Sequence, residues 1–476
     1  MRSMPDAATY VLPALSIGLA ALVFLGPGAQ RMATGVRVWG APVAGSEALA
    51  LRIEGVRRLH GADDPAALPA IEVSATSGGT ALAGWSGSTG KDGIGEALLR
   101  AGGGLKAPVM VRIRRGGDAL LEQEVPLSPP LPAEASALPG AAHASALPGA
   151  AHGELRLRVT VARGAMAAPF PEPVRVAVET EDGAPVPGAR VEASAVGAEL
   201  GGLGSGPAQI TADARGAAEL TIRPLAHTVE LTLRAARPGS AAPPGARGAS
   251  GSWEGRLPVI PGAIWLDPAG LAGERPELRL TSPAPKPYAY VSIGGEHGRL
   301  LGAIVPLAAD GGGFFSGTLA LPDGQPPGAA GWAAVASDPY EQGAGTVAWP
   351  LSPAASPVAP RRVTLLADGV PAAEARERAR ASRARRAGLV VLGAAGVAEM
   401  LLLALRARTA RRRLTAHLAA ASGGEGEDGA DGAPLSREDR GRLLATVRAE
   451  PVLSVLALAA LVGLSFAAVA ALATFR

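Results

Sequence analysis

The chain has 476 residues, enough for about three domains with cores of their own, so it is not a small scaffold dependent on staples. Its 45 basic and 42 acidic residues nearly cancel, and it has no cysteine; net charge implies no nucleic-acid partner, and disulfides, thiolate metal sites and cysteine nucleophiles are excluded. Glycine (64) and proline (42) make up about a fifth of the chain without a collagen period, which fits a folded protein rich in turns. Of the basic residues only Lys91, Lys106 and Lys286 are lysine, a coding bias that speaks of a GC-rich bacterial source and not of function.

The first element, Ala7 to Gly26, is an uncharged apolar stretch of 20 residues, the length a membrane-spanning helix needs. It reads as the helix of a signal anchor occupying residues 1–30, or as a cleaved signal peptide. Arg2 as the only basic residue before it, and Pro27 near the processing point, favour the uncleaved anchor.

Three β-rich segments follow. In the first, residues 46–127, Leu49 to Val56, Ala70 to Thr76 and Val109 to Arg114 alternate apolar with polar. Residues 128–153 form a linker that carries ASALPGAAH twice in tandem, Ala135 to His143 and Ala144 to His152. His143 and His152 are therefore copies, with nothing nearby to complete a metal shell. In the second segment, residues 154–237, Glu154 to Val161, Val174 to Glu179, Arg190 to Val196, Glu219 to Arg223 and Thr228 to Arg234 alternate at period two. Asp182-Gly183, Pro187-Gly188 and Asp213 to Gly216 supply the turns between them. A proline- and glycine-rich linker, residues 238–256, leads to the third segment, residues 257–352. There Leu278 to Leu280, Tyr288 to Ile293, Phe314 to Leu321, Trp332 to Ser337 and Val347 to Trp349 read as strands.

Glu181 to Gly197 (EDGAPVPGARVEASAVG), followed by Thr211 to Ile222 (TADARGAAELTI), resembles the bacterial Ig-like, carboxypeptidase-regulatory-like and macroglobulin-type modules. The resemblance covers roughly residues 154–237. It implies antiparallel Ig-like sandwiches used for spacing and protein interaction, and it implies no catalytic residues. The expected fold class is mainly β: tandem Ig-like antiparallel sandwiches, an N-terminal transmembrane helix and a C-terminal two-helix transmembrane hairpin.

That hairpin comes after residues 353–386, a linker and arginine-rich helix. Its arms are Ala387 to Leu405 (19 residues) and Pro451 to Phe475 (25 residues), joined by a cytoplasmic loop and helix, residues 406–450. Nine arginines, Arg406 to Arg448, place this connection in the cytoplasm by the positive-inside rule, and about 360 residues then lie outside. Arg376, Arg378, Arg380, Arg383, Arg385 and Arg386 oppose that orientation. The localisation expected is the bacterial inner membrane, with three spans and a large periplasmic region.

Within the spans, Glu399 is an ionisable group costly to bury in lipid, expected to be protonated, paired or turned toward protein near Ser454. Ala459, Gly463, Ala467 and Ala471 form a small-residue ridge that lets another helix approach. Elsewhere the chemistry is sparse. Gly90-Lys91 lacks the upstream glycine and the Ser/Thr of a phosphate-binding loop and reads as a turn. His297, beside Glu296, reads as a loop residue. Glu427 to Glu438 matches a calcium loop at Asp431, Gly432 and Glu438 but departs at Glu427, Gly429 and Pro434. Trp85, Trp265, Trp332 and Trp349 are spaced as core residues of separate sandwiches.

The expected function is therefore non-catalytic, a membrane-anchored envelope protein displaying Ig-like domains for interaction or scaffolding. The alternative is a membrane sensor or transporter accessory with ligand-binding sandwiches and Glu399 as its coupling residue. Expected partners are the lipid bilayer and another envelope or membrane protein, with no nucleic acid, no identified small-molecule substrate and no cofactor.

Overall fold

The computed structural model describes residues 14–15, 17–19, 21–26, 29, 31–128, 146–201, 207–237, 249–272, 276–295, 298–321, 331–352, 363–422, 438, 441–442 and 463. Among the described residues the chain is mainly β, with six antiparallel sheets and one long apolar helix, and it divides into two compact units. Residues 34–371 form the β unit; residues 1–33 and 372–476 form the other.

In the β unit the sheets pair into three sandwiches, each closed over one hydrophobic core. The second shows how the alternation works. Arg190–Val196, Ala208–Thr211, Val229–Ala236, Ser250–Leu257 and Gly149–Gly153 make one sheet; Arg156–Val161, Glu172–Glu179, Ala217–Pro224 and Ala198–Leu200 make the other. Val159, Val176, Val191, Leu220 and Leu233 point inward from both sheets and are fully buried. Burying each such side chain contributes about 1.5–3 kcal/mol. The expected turns are present: Gly183, Gly188 and Gly216 all have φ near +70 to +80°, which glycine adopts without strain. Asp213 fixes the last of these turns by accepting the backbone N–H groups of Arg215 (2.8 Å) and Ala217 (2.9 Å).

Three strands occupy segments that the sequence presents as linkers. Gly149–Gly153 is built from the second copy of the nine-residue repeat and pairs with Ser250–Leu257, itself inside the proline- and glycine-rich stretch. Trp253 and Leu257 of that strand complete the core. Glycine forms this pairing because a side chain at 149 would enter the Trp253 ring, and one at 153 would meet the Ser250 carbonyl. The first copy of the repeat lies outside the described residues. The third unexpected strand, Thr364–Asp368, pairs antiparallel with Ala33–Gly40 and belongs to the first sandwich, far from its neighbours in sequence.

The first sandwich is therefore discontinuous. Ala33–Gly40 and Thr364–Asp368 lie side by side, with Arg37 opposite Asp368 and their side chains 3.5 Å apart. A Cβ on Gly35 would stand 2.8 Å from the Cα of Val370. The chain thus enters and leaves the β unit at one place. The third sandwich packs Ala289, Val291, Ile293, Val335 and Trp349 over Leu278 and Leu280. Ala167 and Phe170, from a loop of the second sandwich, join that core.

A long helix, Val370–Ser422, begins at the end of the β unit and continues through the other, 53 residues or about 80 Å at 1.5 Å per residue. Asp368 accepts the first N–H of the helix at 2.9 Å, Pro371 suits its first turn, and no proline recurs before Pro434. Arg376 to Arg386, the apolar stretch 387–405 and Arg406 to Arg413 are consequently one rod, where the sequence suggests a helix, a span and a loop. Alanine and arginine are strong helix formers, so nothing at Arg406 interrupts the hydrogen-bond ladder. By length and composition this helix can cross a membrane. Residues 17–19 and 21–25 are also helical, and a Cβ on Gly388 would lie 2.7 Å from the Val23 Cγ1. The proposed partner arm, 451–475, falls outside the described residues except for Gly463.

Candidate functional site

The most concentrated polar chemistry in the β unit lies between the first and third sandwiches. Arg52 sits on Ala48–Leu59 and Glu96 on Ile94–Arg100, neighbouring strands of the first sandwich in which they are direct cross-strand partners. From the third sandwich come Ser292 on Tyr288–Gly295, Arg299 on Gly298–Pro306, and Glu341 on the loop after Trp332–Ala336. Arg52 and Glu341 are fully buried, Arg299 nearly so.

These groups form one network. Arg52 donates to Glu96 through Nε and to the Pro339 carbonyl through Nη1, and its Nη2 stands 3.3 Å from the Glu341 carboxylate. Arg299 donates to both Glu96 oxygens at 3.1 Å, to the Ala50 carbonyl at 2.7 Å and to the Ser292 hydroxyl at 2.8 Å. Ser292 donates in turn to Glu341. Two guanidinium groups and two carboxylates balance in charge, which is how four ions can share a site removed from water. Burial opposes the charge on Arg52, yet Glu96 and Glu341 outweigh it and hold its pKa above the ordinary arginine value. For Glu341 burial dominates and pushes the carboxyl above its usual range, against the attraction of Arg52 and Arg299.

The loop carrying Glu341 is shaped for this contact. Asp338 accepts the backbone N–H groups of Tyr340, Gln342 and Gly343 at 2.9–3.1 Å, curling the loop around its carboxylate. Glu341 takes φ +54°, a left-handed conformation unusual for a side chain of its size. The curl presents Tyr340 to the first sandwich, where its hydroxyl donates to Glu54 at 2.5 Å and its ring lies 4.5 Å from that of Trp39. Tyr290 donates to Asp92 at 3.0 Å, and burial beside these carboxylates raises the pKa of both phenols. A Cβ on Gly302 would overlap Arg299 and Glu96, and one on Gly298 would reach Val43 at 2.5 Å. The network therefore depends on two glycines as well as on its ions.

Chemically the site resembles a lock more than a reaction centre. Ser292 has a carboxylate and a guanidinium on its hydroxyl, but it is 2% exposed, and a substrate could reach it only by displacing the first sandwich. A comparable junction joins the second sandwich to the third. Arg163 donates to Glu172 at 3.0 Å and to the Leu266 carbonyl at 2.7 Å, and its guanidinium lies 4.4 Å over the Trp349 ring. Trp265 donates to Glu172 at 2.7 Å and stacks on Phe170.

The residues singled out by sequence take other places. Trp349 is in the third core, Trp85 and Trp265 pack against the first and third, and Trp332 belongs to a small cluster with Ala334 and Ala348. Gly90-Lys91 is part of a turn in which Gly93 donates to the Gly90 carbonyl and Asp92 faces Tyr290. His152 is exposed on an edge strand; His143 and His297 lie outside the described residues. Glu399 is 6% exposed and partnered, while Val390, Val397, Leu401 and Leu405 around it are exposed. Gly463 is helical and exposed, with no described atom near its Cβ position; Ala459, Ala467, Ala471 and Ser454 lie outside the described residues, as does Glu427 to Arg437.

Sequence reasoning missed Arg52, Glu96, Arg299 and Glu341. The sequence carried no signal for them: Arg52 alternates with Leu49, Leu51 and Ile53, which fill the first core, so it reads as an ordinary polar residue on the outer face of its strand, and only the third sandwich covers it.

No protein-family model matches the chain, and no curated protein matches it. Among solved structures it is similar to the adhesin InvE of Yersinia pseudotuberculosis, at 12% identity over 49% of this chain and 62% of that one, with a TM-score of 0.18. It is similar to the Escherichia coli adhesin FdeC at 16% identity over 71% and 99% of the two chains, TM-score 0.16. Trypsin-activated α2-macroglobulin from Escherichia coli gives 12% identity over 65% and 23%, TM-score 0.17. The chain thus spans less than two thirds of the length of InvE.

Proposed function

We propose that this chain is a non-catalytic, membrane-anchored envelope protein that presents three Ig-like sandwiches outside the cytoplasm as a protein-interaction scaffold. The observation that carries the proposal is the pairing of Ala33–Gly40 with Thr364–Asp368. Because the chain enters and leaves the β unit at one place, the apolar segment before residue 33 and the helix after residue 369 can both enter one bilayer without strain on the sandwiches. The two ionic junctions support a rigid display, since each holds a neighbouring sandwich to the third by buried, charge-assisted hydrogen bonds.

Reporter fusions after Pro126, Pro350, Ala420 and Arg476 test this topology. Periplasmic signals from the first two and the last, with a cytoplasmic signal from Ala420, are expected. Cytoplasmic signals from Pro126 and Pro350 would overturn the envelope reading.

One observation favours the second reading, a sensor or transporter accessory. Glu399 is buried on a helix whose large apolar side chains face outward, the arrangement of a polar group turned toward protein within a bilayer. Normal assembly and proton handling in Glu399→Gln would remove it.

A further inference from the structure

Several arginines on the sheets are neutralised in place: Arg112, Arg158, Arg175, Arg223 and Arg256 each meet a glutamate on an adjoining strand. On the long helix the neutralisation stops partway. Arg378 and Arg380 pair with Glu374 and Glu377, one turn back, but Arg383, Arg386, Arg406 and Arg408 form no ion pair with a carboxylate among the described residues. Arg383, Arg386 and Arg408 are exposed and Arg406 is half-buried.

The spacing of these groups is informative. The helix is continuous, so the 20 residues from Arg386 to Arg406 correspond to about 30 Å along its axis. That is about the thickness of a bilayer's hydrocarbon core. Between the two collars Val390, Val391, Val397, Met400, Leu401 and Leu402 are exposed. A solvated stalk would have no reason to interrupt two arginine collars with an outward-facing apolar band of this length. An arginine within a turn of the hydrocarbon needs an anion, and guanidinium binds phosphate oxygens bidentately.

Resting on the membrane-spanning reading, we propose that Arg383 with Arg386 and Arg406 with Arg408 are two phospholipid-binding collars, one in each headgroup layer, that prefer anionic headgroups and fix the depth of the helix. The proposal accounts for the arginines on the outer side that oppose the positive-inside rule. They bind the lipid phosphate of their own leaflet and carry no vote on orientation.

The test uses the full chain reconstituted in vesicles of phosphatidylcholine alone or in equal parts with phosphatidylglycerol. The lipid retained on the protein after mild detergent extraction is read by native mass spectrometry. The wild type should retain phosphatidylglycerol in preference to phosphatidylcholine. Replacing either arginine pair by glutamine should reduce that preference by about fivefold per arginine. Lysine at the same positions should restore most of the preference, since both lipids carry the phosphate and only net headgroup charge distinguishes them; lysine variants that lose as much as glutamine variants would show that charge does not set the preference and would overturn the proposal. Equal retention of the two lipids by the wild type would overturn it, as would full displacement of phosphatidylglycerol by inorganic phosphate. Alkaline carbonate separates the two levels. A chain that stays in the membrane but shows no lipid preference refutes the collars alone, whereas a chain released by carbonate refutes the membrane-spanning reading and the collars together.

Discussion

At the scale of single residues, the junction between the first and third sandwiches turns on which charges lose a partner. Removing Glu341 leaves Arg52 and Arg299 with one carboxylate, Glu96, between them. Glu341→Ala should therefore cost about 3 kcal/mol or more, read as a lower denaturant midpoint with an unchanged slope. Glu341→Gln keeps an acceptor for Ser292 and should cost less. The pH dependence follows from the directions of the shifts. Glu341 is raised in the fold, so its burial is least costly when protonated, and stability from this group falls as pH rises from the ordinary glutamate range through its folded value. Asp63 is the opposite case: hydrogen bonds from Arg58 and Arg37 outweigh burial and hold it well below the usual carboxylate range. Its contribution is present above about pH 4 and is lost as pH falls below that toward its folded value. Stability curves for Glu341→Gln and Asp63→Asn across pH 3–7 (approximately) should depart from the wild type in opposite directions. A third residue, Gly153, decides a register. The repeat supplies two identical stretches, but the residue after the second is Gly153, at φ +102° beside the Ser250 carbonyl, and after the first it is Ala144. Gly153→Ala should destabilise the second sandwich by about 2 kcal/mol or more, measured by thermal unfolding.

At the scale of elements, the long helix and the short apolar stretch before the first strand meet where glycine permits it. A Cβ on Gly388 would lie 3.4 Å from that of Val23, close to the separation a disulfide spans. The chain has no cysteine of its own. Val23→Cys combined with Gly388→Cys should therefore cross-link on oxidation, seen as a reduction-sensitive shift on gels, and Val23→Cys with Gly396→Cys should not. The buried face of the helix also explains Glu399. Ala381, Gly388 and Glu399 are its buried residues through this region, spaced seven and eleven apart and so close to whole turns, which puts the carboxylate on the side that packs. The sequence pointed to small residues on the last apolar segment. Those residues lie outside the described ones except Gly463; the contact visible among the described residues uses Gly388 on the preceding segment.

At the scale of the whole molecule, sandwich boundaries do not follow the proline- and glycine-rich stretches. A fragment of residues 154–237 lacks Gly149–Gly153 and Ser250–Leu257, and with the latter the buried Trp253. It should stay unfolded by circular dichroism, whereas residues 146–260 should give a cooperative transition. Residues 31–127 likewise lack the closing strand Thr364–Asp368 and expose the edge of Ala33–Gly40, an invitation to aggregate.

Much of what depends on near neighbours was legible in the order of residues. Where alternation at period two marks a strand, it mostly sets the bounds to within a residue or two, as at Arg190–Val196 and Val109–Arg115, and Asp-Gly and Pro-Gly pairs set the turns. Both kinds of signal arise from a residue and its immediate neighbours along the chain. The tertiary structure alone decided the rest: which distant strand closes the first sandwich, why a repeat copy becomes an edge strand, and which charges are buried. Arg52 and Glu341 are 289 positions apart, and neither carries a local mark of the other. A cross-strand partner is chosen by the free energy of covering an edge and filling a core, summed over the folded β unit, and that sum is not written in any window of the chain.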